Sequence, residues 1–185
     1  MHIKDIFTSF LAFENLSIDN QILIDFCKKQ MPKDNSGSGF LDLTTPELQP
    51  LLGMVGQKVN ELHIELGLSS KYRQIIHRCW ANINYPQGIQ IAHTHPESFF
   101  SCVYYVNESE DAGFLTFFNP VREQLPIVRP PMIADHNKYW AETMMVPPRA
   151  GMLVIFPSWL WHSVNKGTND RARISFAIDT KILSI

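Results

Sequence analysis

Two histidines, His93 and His95, stand two residues apart at the end of a short stretch, Ile89 to His93, that reads as a strand. In extended backbone, side chains two residues apart leave the same face, so both imidazoles would point one way. Imidazole nitrogen suits Fe, Zn, Cu and Ni, and a same-face pair is half of a metal site. Taken alone the motif is weak, because surface and core histidines produce it by chance. A third imidazole, His162, follows the apolar run Met152-Leu153-Val154-Ile155-Phe156-Pro157 and sits among Trp159, Leu160 and Trp161. A histidine that opens a new strand after an apolar strand and a turn suits a third ligand. The alternative is a core histidine satisfied by one hydrogen bond.

Eleven residues beyond His162 comes Arg173-Ile174-Ser175. That separation leaves room for a short loop, Lys166 to Asp170, and a return along the neighbouring antiparallel strand. Arg173 and Ser175 would then share a face near the metal. A buried arginine needs an anionic partner, and its planar fork matches a carboxylate through two parallel hydrogen bonds. No protein carboxylate is obviously placed for that pairing; a ligand carboxylate would serve. The alternation of Ile174, Phe176 and Ile178 with Ser175 and Ala177 leaves open whether Arg173 faces in or out.

These residues need a scaffold, and the chain divides into a helical front and a strand-rich back. Ser17 opens a helix with Ile18, Ile22, Phe26 and Cys27 on one stripe, and Pro32 ends it. The segment Lys33 to Gly39 (KDNSGSG) reads as a polar loop. Thr44 and Glu47 fit a capping box with Pro46 in the first turn. Leu48, Leu51, Leu52, Val55, Val59, Leu62 and Leu66 then keep the helical period until Gly67. This apolar face is expected to cover a sheet. From Lys71 onward short runs follow: Ile75 to Asn84, Ile89 to His93, Phe99 to Val106, Gly113 to Phe118, Ala141 to Val146, Met152 to Phe156, His162 to Asn165 and Arg171 to Asp179. Gly, Pro and Asn separate them, a pattern that suits a sandwich or barrel. The Pro-rich connection Asn119 to Lys138 is either a binding lid or a surface insert.

The chain has 185 residues, a length that suits one domain: residues 1–70 as helical support and 71–185 as the β core. A formal net charge of -2 gives no basic field for a phosphate backbone, so nucleic acid is not an expected partner. The three cysteines, Cys27, Cys79 and Cys102, are too few and too scattered for a disulfide framework. They read as reduced core residues of a cytoplasmic protein. The N-terminal stretch lacks the apolar core of a signal peptide, and no run approaches a membrane-spanning length.

Taken together, the segments resemble a known family. Tyr85-Pro86, His93-Thr94-His95, Ser101-Cys102-Val103-Tyr104-Tyr105-Val106-Asn107 and Gly113-Phe114-Leu115 look like the iron-binding half of the prolyl-hydroxylase-like Fe(II)/2-oxoglutarate oxygenases. From Pro147 to Asp179, an apolar strand, His162 and Arg173-x-Ser175 look like the closing strands. His-Thr-His-Pro, then Ser-x-Val-Tyr-Tyr, then Phe-Pro-Ser-Trp-Leu-x-His are similar to a group of 2-oxoglutarate/Fe(II) oxygenases of largely undefined substrate. The resemblance implies a double-stranded β-helix (a jelly-roll, cupin-like barrel) with its front helices packed on the major sheet. It implies an oxidoreductase, a dioxygenase that takes Fe(II), 2-oxoglutarate and O2 and hydroxylates an unidentified substrate.

Residue by residue, the resemblance makes His93 and His162 two iron ligands. It makes Arg173, helped by Ser175, the group that grips the distal carboxylate of 2-oxoglutarate. Tyr105 reaches the same carboxylate, and Ser101 shares its face. Asn82 and Tyr85 are further pocket-wall residues. One position departs from the family pattern: His95 stands where the usual triad has Asp or Glu. Three neutral imidazoles leave more positive charge on the metal, which would tighten the hold on an anionic co-substrate or retune oxygen chemistry. Glu97 is the alternative third ligand. Two rival readings remain: a cupin-like three-His metalloenzyme that does not use 2-oxoglutarate, and a non-catalytic metal-binding barrel.

Overall fold

The computed structural model describes residue 4 and residues 8–30, 36–85, 87–107, 111–121, 137–168 and 171–185. After a short strand β1 (Ala12–Asn15) come α1 (Asn20–Gln30) and a two-residue strand β2 (Ser36–Gly37). A single 3-10 turn (Pro46–Leu48) then leads into α2 (Gln49–Glu65). The remainder is β: β3 (Tyr72–Asn84), β4 (Gln90–His93), β5 (Phe100–Tyr105), β6 (Leu115–Phe118), β7 (Thr143–Val146), β8 (Met152–Pro157), β9 (His162–Val164) and β10 (Arg173–Ser184).

From β3 onward the chain passes back and forth between two antiparallel sheets, with β6 and β7 consecutive in the smaller one; the orders are β1-β8-β5-β10-β3-β2 and β4-β9-β6-β7. Strands β3, β5, β8 and β10 face β4, β6, β7 and β9 across an interior, which is the double-stranded β-helix. The central strands of the large sheet bury side chains on both faces, for two different reasons. Cys79, Ala81, Ile83, Cys102, Tyr104, Ile174, Phe176 and Ile178 point outward into a core completed by Leu23, Phe26, Leu51, Val55 and Val59 of the helices. Tyr105, Val154 and Phe156 point inward against Leu115, Phe117 and Val146 of the small sheet. The helices therefore decide which parity of β10 is the inside: Ile174, Phe176 and Ile178 are taken up by the helix side, and Arg173, Ser175, Ala177 and Asp179 face the small sheet.

Several local expectations change. Helix α1 begins at Asn20, and the backbone N–H of Gln21 bonds Asp19. Leu23, not Ile22, enters the core. The capping box does not form, because Asp42 lies nearer: it accepts both the N–H and the hydroxyl of Thr44. Pro46 starts the 3-10 turn, and α2 begins only at Gln49, whose side chain bonds the carbonyls of Leu43 and Thr45. At the far end Gly67 takes a φ of +74° and closes α2 through its N–H to Ile64. Leu66 turns out to solvent.

The front segment is also not purely helical. Strand β1 adds to the edge of the large sheet beside β8, and β2, within the supposed 33–39 loop, adds to the other edge beside β3. Strand β10 continues past Asp179 to Ser184, with a register shift between Asp179 and Thr180. Residues 31–35, Pro86 and residues 122–136 fall outside the described residues. With them go the stop at Pro32, part of the Tyr85-to-Gly88 turn and most of the Asn119-to-Lys138 connection, including its reading as a lid. Among the described residues no helix is long and apolar enough to cross a membrane.

Candidate functional site: three histidines and a buried arginine

Pairing β4 with β9 sets His93 directly across from His162. Strand β4 stops at His93, yet His95 stays on the same side because its N–H bonds the carbonyl of Ser158 in the β8–β9 turn. The result is a cluster in which the ligand atoms of His93, His95 and His162 lie within 4.8 Å of one another and could hold a metal ion. Ring centroids are 5.2 Å apart for His93 and His95, 4.4 Å for His93 and His162, and 5.0 Å for His95 and His162.

The tautomers follow from the partners. His93 Nδ1 lies 2.7 Å from the carbonyl of Ile91, and His162 Nδ1 lies 2.9 Å from that of Leu160. His95 Nδ1 lies 2.7 Å from Asp179 Oδ1. A carbonyl and a carboxylate can only accept, so each Nδ1 carries the hydrogen and each Nε2 keeps its lone pair for the cluster. This is the arrangement that a histidine metal ligand needs.

His162 is buried against Phe117 and Phe156. Burial holds its imidazole well below the ordinary value, at about 4, despite the bond to Leu160; the neighbouring His93 and His95 push the same way as burial. The depressed value means that the unfolded chain binds this proton more readily. The His162 contribution to stability is thus present in full above about pH 6.5 and lost as pH falls toward about 4. Urea unfolding of chelator-treated protein should show stability dropping across that window, with the drop reduced in His162→Asn.

Glu97 does not join the cluster. Its backbone takes a φ of +68°, and its carboxylate turns outward to pair with Arg78 at 2.9 Å. His95 therefore completes the group that Glu97 was the alternative for.

Arg173 is buried at the start of β10 on the cavity side. Asn107 fixes the backbone around it, accepting the N–H of Ile174 and donating to the carbonyl of Ala172. The guanidinium donates Nη1 to the carbonyl of Gly113 and Nη2 to Asn84 Oδ1 at 2.7 Å. It lies 5.6 Å from the centre of the Tyr105 ring. Its Nε is buried without a partner, and it makes no ion pair among the described residues. Burial pulls the Arg173 value down and Tyr105 opposes this, while burial pushes the Tyr105 phenol up to about 12, with Arg173 opposing. Tyr105 is accordingly a neutral hydroxyl at ordinary pH, and Arg173 a cation with no counter-anion among the described residues.

Gly113 is where two loops cross. A Cβ there would run into the backbone carbonyl of Asn165. Gly113→Ala should therefore push the Gly113 backbone away from Asn165 and displace the Gly113 carbonyl, which accepts from Arg173. It is expected to cost about 1–3 kcal/mol in urea denaturation and to weaken anion binding in the cavity.

The other expected residues fall into two groups. Ser175 and Asn82 are buried opposite each other on the cavity face of β10 and β3, and Asn82 accepts a bond from Gln90. Ser101 is on that face too, but its hydroxyl bonds Asp179, Ser158 and His95, which places it behind the histidines rather than beside Arg173. Tyr85 packs against the helix-side core. The structure adds four residues that the sequence reading overlooked. Asn84 holds Arg173, Asp179 supports His95, and Trp80 stands 5.2 Å from the His95 ring with Phe40 edge-on to it at 5.8 Å. Asp179 had a signal: it is an acidic residue in phase with Arg173 and Ser175 inside an apolar strand.

The donor set fits a group with two ends: a cation held by three neutral imidazoles, and an anion held by Arg173. The comparisons with known proteins address the family and the fold. Residues 78–179 match the family model described as "Putative 2OG-Fe(II) oxygenase". Among solved structures, a prolyl-4-hydroxylase from Pseudomonas putida superposes with a TM-score of 0.62 at 19% identity, covering 94% of this chain and 93% of that one. The viral collagen prolyl hydroxylase of Paramecium Bursaria Chlorella virus-1, in complex with 2OG, gives a TM-score of 0.60 at 12% identity, covering 95% and 96%. HygX from Streptomyces hygroscopicus, with iron bound, gives 0.57 at 10% identity, covering 94% and 82%. At such identities these likenesses speak for the fold. Among curated protein sequences none matches the chain. The family match covers more than half of the sequence and spans all three histidines and Arg173, and the chain belongs to the 2OG-Fe(II) oxygenases, oxidoreductases that use Fe(II) and 2-oxoglutarate.

Proposed function

We propose that His93, His95 and His162 hold the Fe(II) through their Nε2 atoms and that Arg173 binds the distal carboxylate of 2-oxoglutarate. Asn84, Ser175 and Tyr105 assist Arg173 in this reading, and the reaction is hydroxylation of a C–H bond in a substrate still to be identified. The observation that carries it is the buried Arg173, which meets no carboxylate among the described residues, in the same interior as three histidines locked in one tautomer. A buried guanidinium without an anion is costly, and a dicarboxylate whose other end reaches the metal removes that cost.

When bound, Fe(II) and 2-oxoglutarate supply the activation of O2, with succinate and carbon dioxide as co-products. The chain's own residues bind, orient and shield. Arg173 sets the direction of the co-substrate through charge-assisted hydrogen bonds. Phe117 and Phe156 keep water from the His162 side of the metal position. Trp80 and Phe40 wall the site beside His95 and are in place to meet the substrate. The compartment is proposed to be the cytoplasm, since Cys27, Cys79 and Cys102 are buried free thiols. A net charge of -2 gives no reason to add nucleic acid to the partners.

The test is an anaerobic titration of 2-oxoglutarate into Fe(II)-loaded protein, followed by visible absorption. A charge-transfer band that saturates at one equivalent per chain is expected. Tight metal binding without a band would instead mean a three-His barrel that does not use 2-oxoglutarate. No metal uptake would overturn the reading altogether.

A further inference from the structure

Behind the third histidine lies a carboxylate that meets no Lys or Arg among the described residues. Asp179 is 1% exposed on the cavity side of β10. Its Oδ1 faces His95 Nδ1 at 2.7 Å and accepts from the Ser101 hydroxyl at 2.8 Å; its Oδ2 accepts from the Ser98 hydroxyl at 3.1 Å. The hydrogens balance. Ser101 spends its single proton on Asp179, and Ser158, 2.8 Å away, can donate into Ser101. Every neighbour donates, so the pocket is built for the anion. Arg78, the register partner of Asp179 across β3, is engaged with Glu97 instead. An ionised carboxylate buried without a cation is as unfavourable as the unpaired Arg173, unless a positive charge arrives on the far side of His95.

We infer that Asp179 is a positioning residue that supplies, through His95, the negative charge that a carboxylate bound directly to iron would otherwise provide. The inference rests on the three-histidine reading above. It assigns His95 a stronger donor character than His93 and His162, whose Nδ1–H groups face neutral carbonyls of Ile91 and Leu160. Ser98 and Ser101 hold the carboxylate in line, and His77, 3.1 Å from the Ser98 hydroxyl, extends the chain of bonds away from the histidine cluster.

The test is a double-mutant cycle read by metal affinity rather than turnover: Fe(II) and redox-inert Zn(II), competed against a chromophoric chelator without oxygen. Asp179→Asn should weaken binding about 10–100-fold, the range for an outer partner of a ligand histidine. In a His95→Asp background the charge already sits on the metal, and Asp179 would face a second carboxylate. There Asp179→Asn should leave affinity unchanged or raise it. An equal loss in both backgrounds would mean that Asp179 merely supports the fold, and no loss in the His95 background would remove its role entirely. Either result overturns the inference while metal binding by the wild-type chain leaves the three-histidine reading intact. A wild-type chain that takes up neither metal overturns both. Should Asp179→Asn not fold, NMR of the Zn(II)-loaded wild type decides. The His95 Nδ1–H should be present and lie further downfield than those of His93 and His162. Equal shifts, or a proton on His95 Nε2, would overturn the inference.

Discussion

Replacing Arg173 with methionine is expected to weaken 2-oxoglutarate binding on the order of a hundredfold or more, with metal binding retained. Truncating one partner of a buried charge pair costs about 2–5 kcal/mol, and in the proposed reading the other partner is the co-substrate. The same change should barely disturb the ligand-free fold. It forfeits two hydrogen bonds to neutral acceptors, Gly113 and Asn84, at about 1 kcal/mol each. It also removes a desolvated cation whose Nε has no partner, which offsets that loss. Calorimetric titration of Zn(II)-loaded protein with 2-oxoglutarate, alongside urea unfolding without ligand, separates the two effects. A variant that binds 2-oxoglutarate normally would show that Arg173 is a structural arginine. A variant that unfolds would show that its bonds to Gly113 and Asn84 hold the barrel together.

The second large effect concerns His162. His162→Ala should reduce metal affinity by more than the roughly hundredfold seen when an outer partner of a ligand is lost, because an Nε2 donor itself is removed. The control is another buried histidine. His63 is 1% exposed, yet both of its ring nitrogens are occupied, Nδ1 by Gln74 and Nε2 by the carbonyl of Ser69. Gln74 in turn accepts the Thr180 hydroxyl. His63→Ala should lower stability by a few kcal/mol through lost packing and hydrogen bonds, and metal stoichiometry should stay at one. Loss of metal in both variants would point to unfolding as the common cause, and loss in neither would remove His162 from the ligand set. The pair puts the difference between a ligand histidine and a satisfied core histidine to experiment. In sequence the two look alike.

What was legible in the sequence was whatever repeats locally. The face of α2, the two-residue step between His93 and His95, and the strand-and-turn grammar from Lys71 onward all follow from periods of a few residues. So does the phase shared by Arg173 and Ser175. These sufficed for a sandwich or barrel and for singling out three histidines; the double-stranded β-helix and the ligand roles came with the family resemblance, and antiparallel pairing of β4 with β9 is what carries His93 to His162. What the tertiary structure alone decided involves partners far apart in the chain or groups that any residue could supply. Arg173 meets Asn84 across a separation of 89 residues, and His95 meets Asp179 across 84. No local pattern encodes either pair. Strands β1 and β2 are short edge segments held by backbone bonds to β8 and β3, and backbone bonds leave no side-chain signature. The direction of Arg173 was undecidable from β10 itself, since both faces of that strand are buried. Only the helices, by claiming Ile174, Phe176 and Ile178 for their own core, turn the arginine and the aspartate toward the interior that the three histidines line.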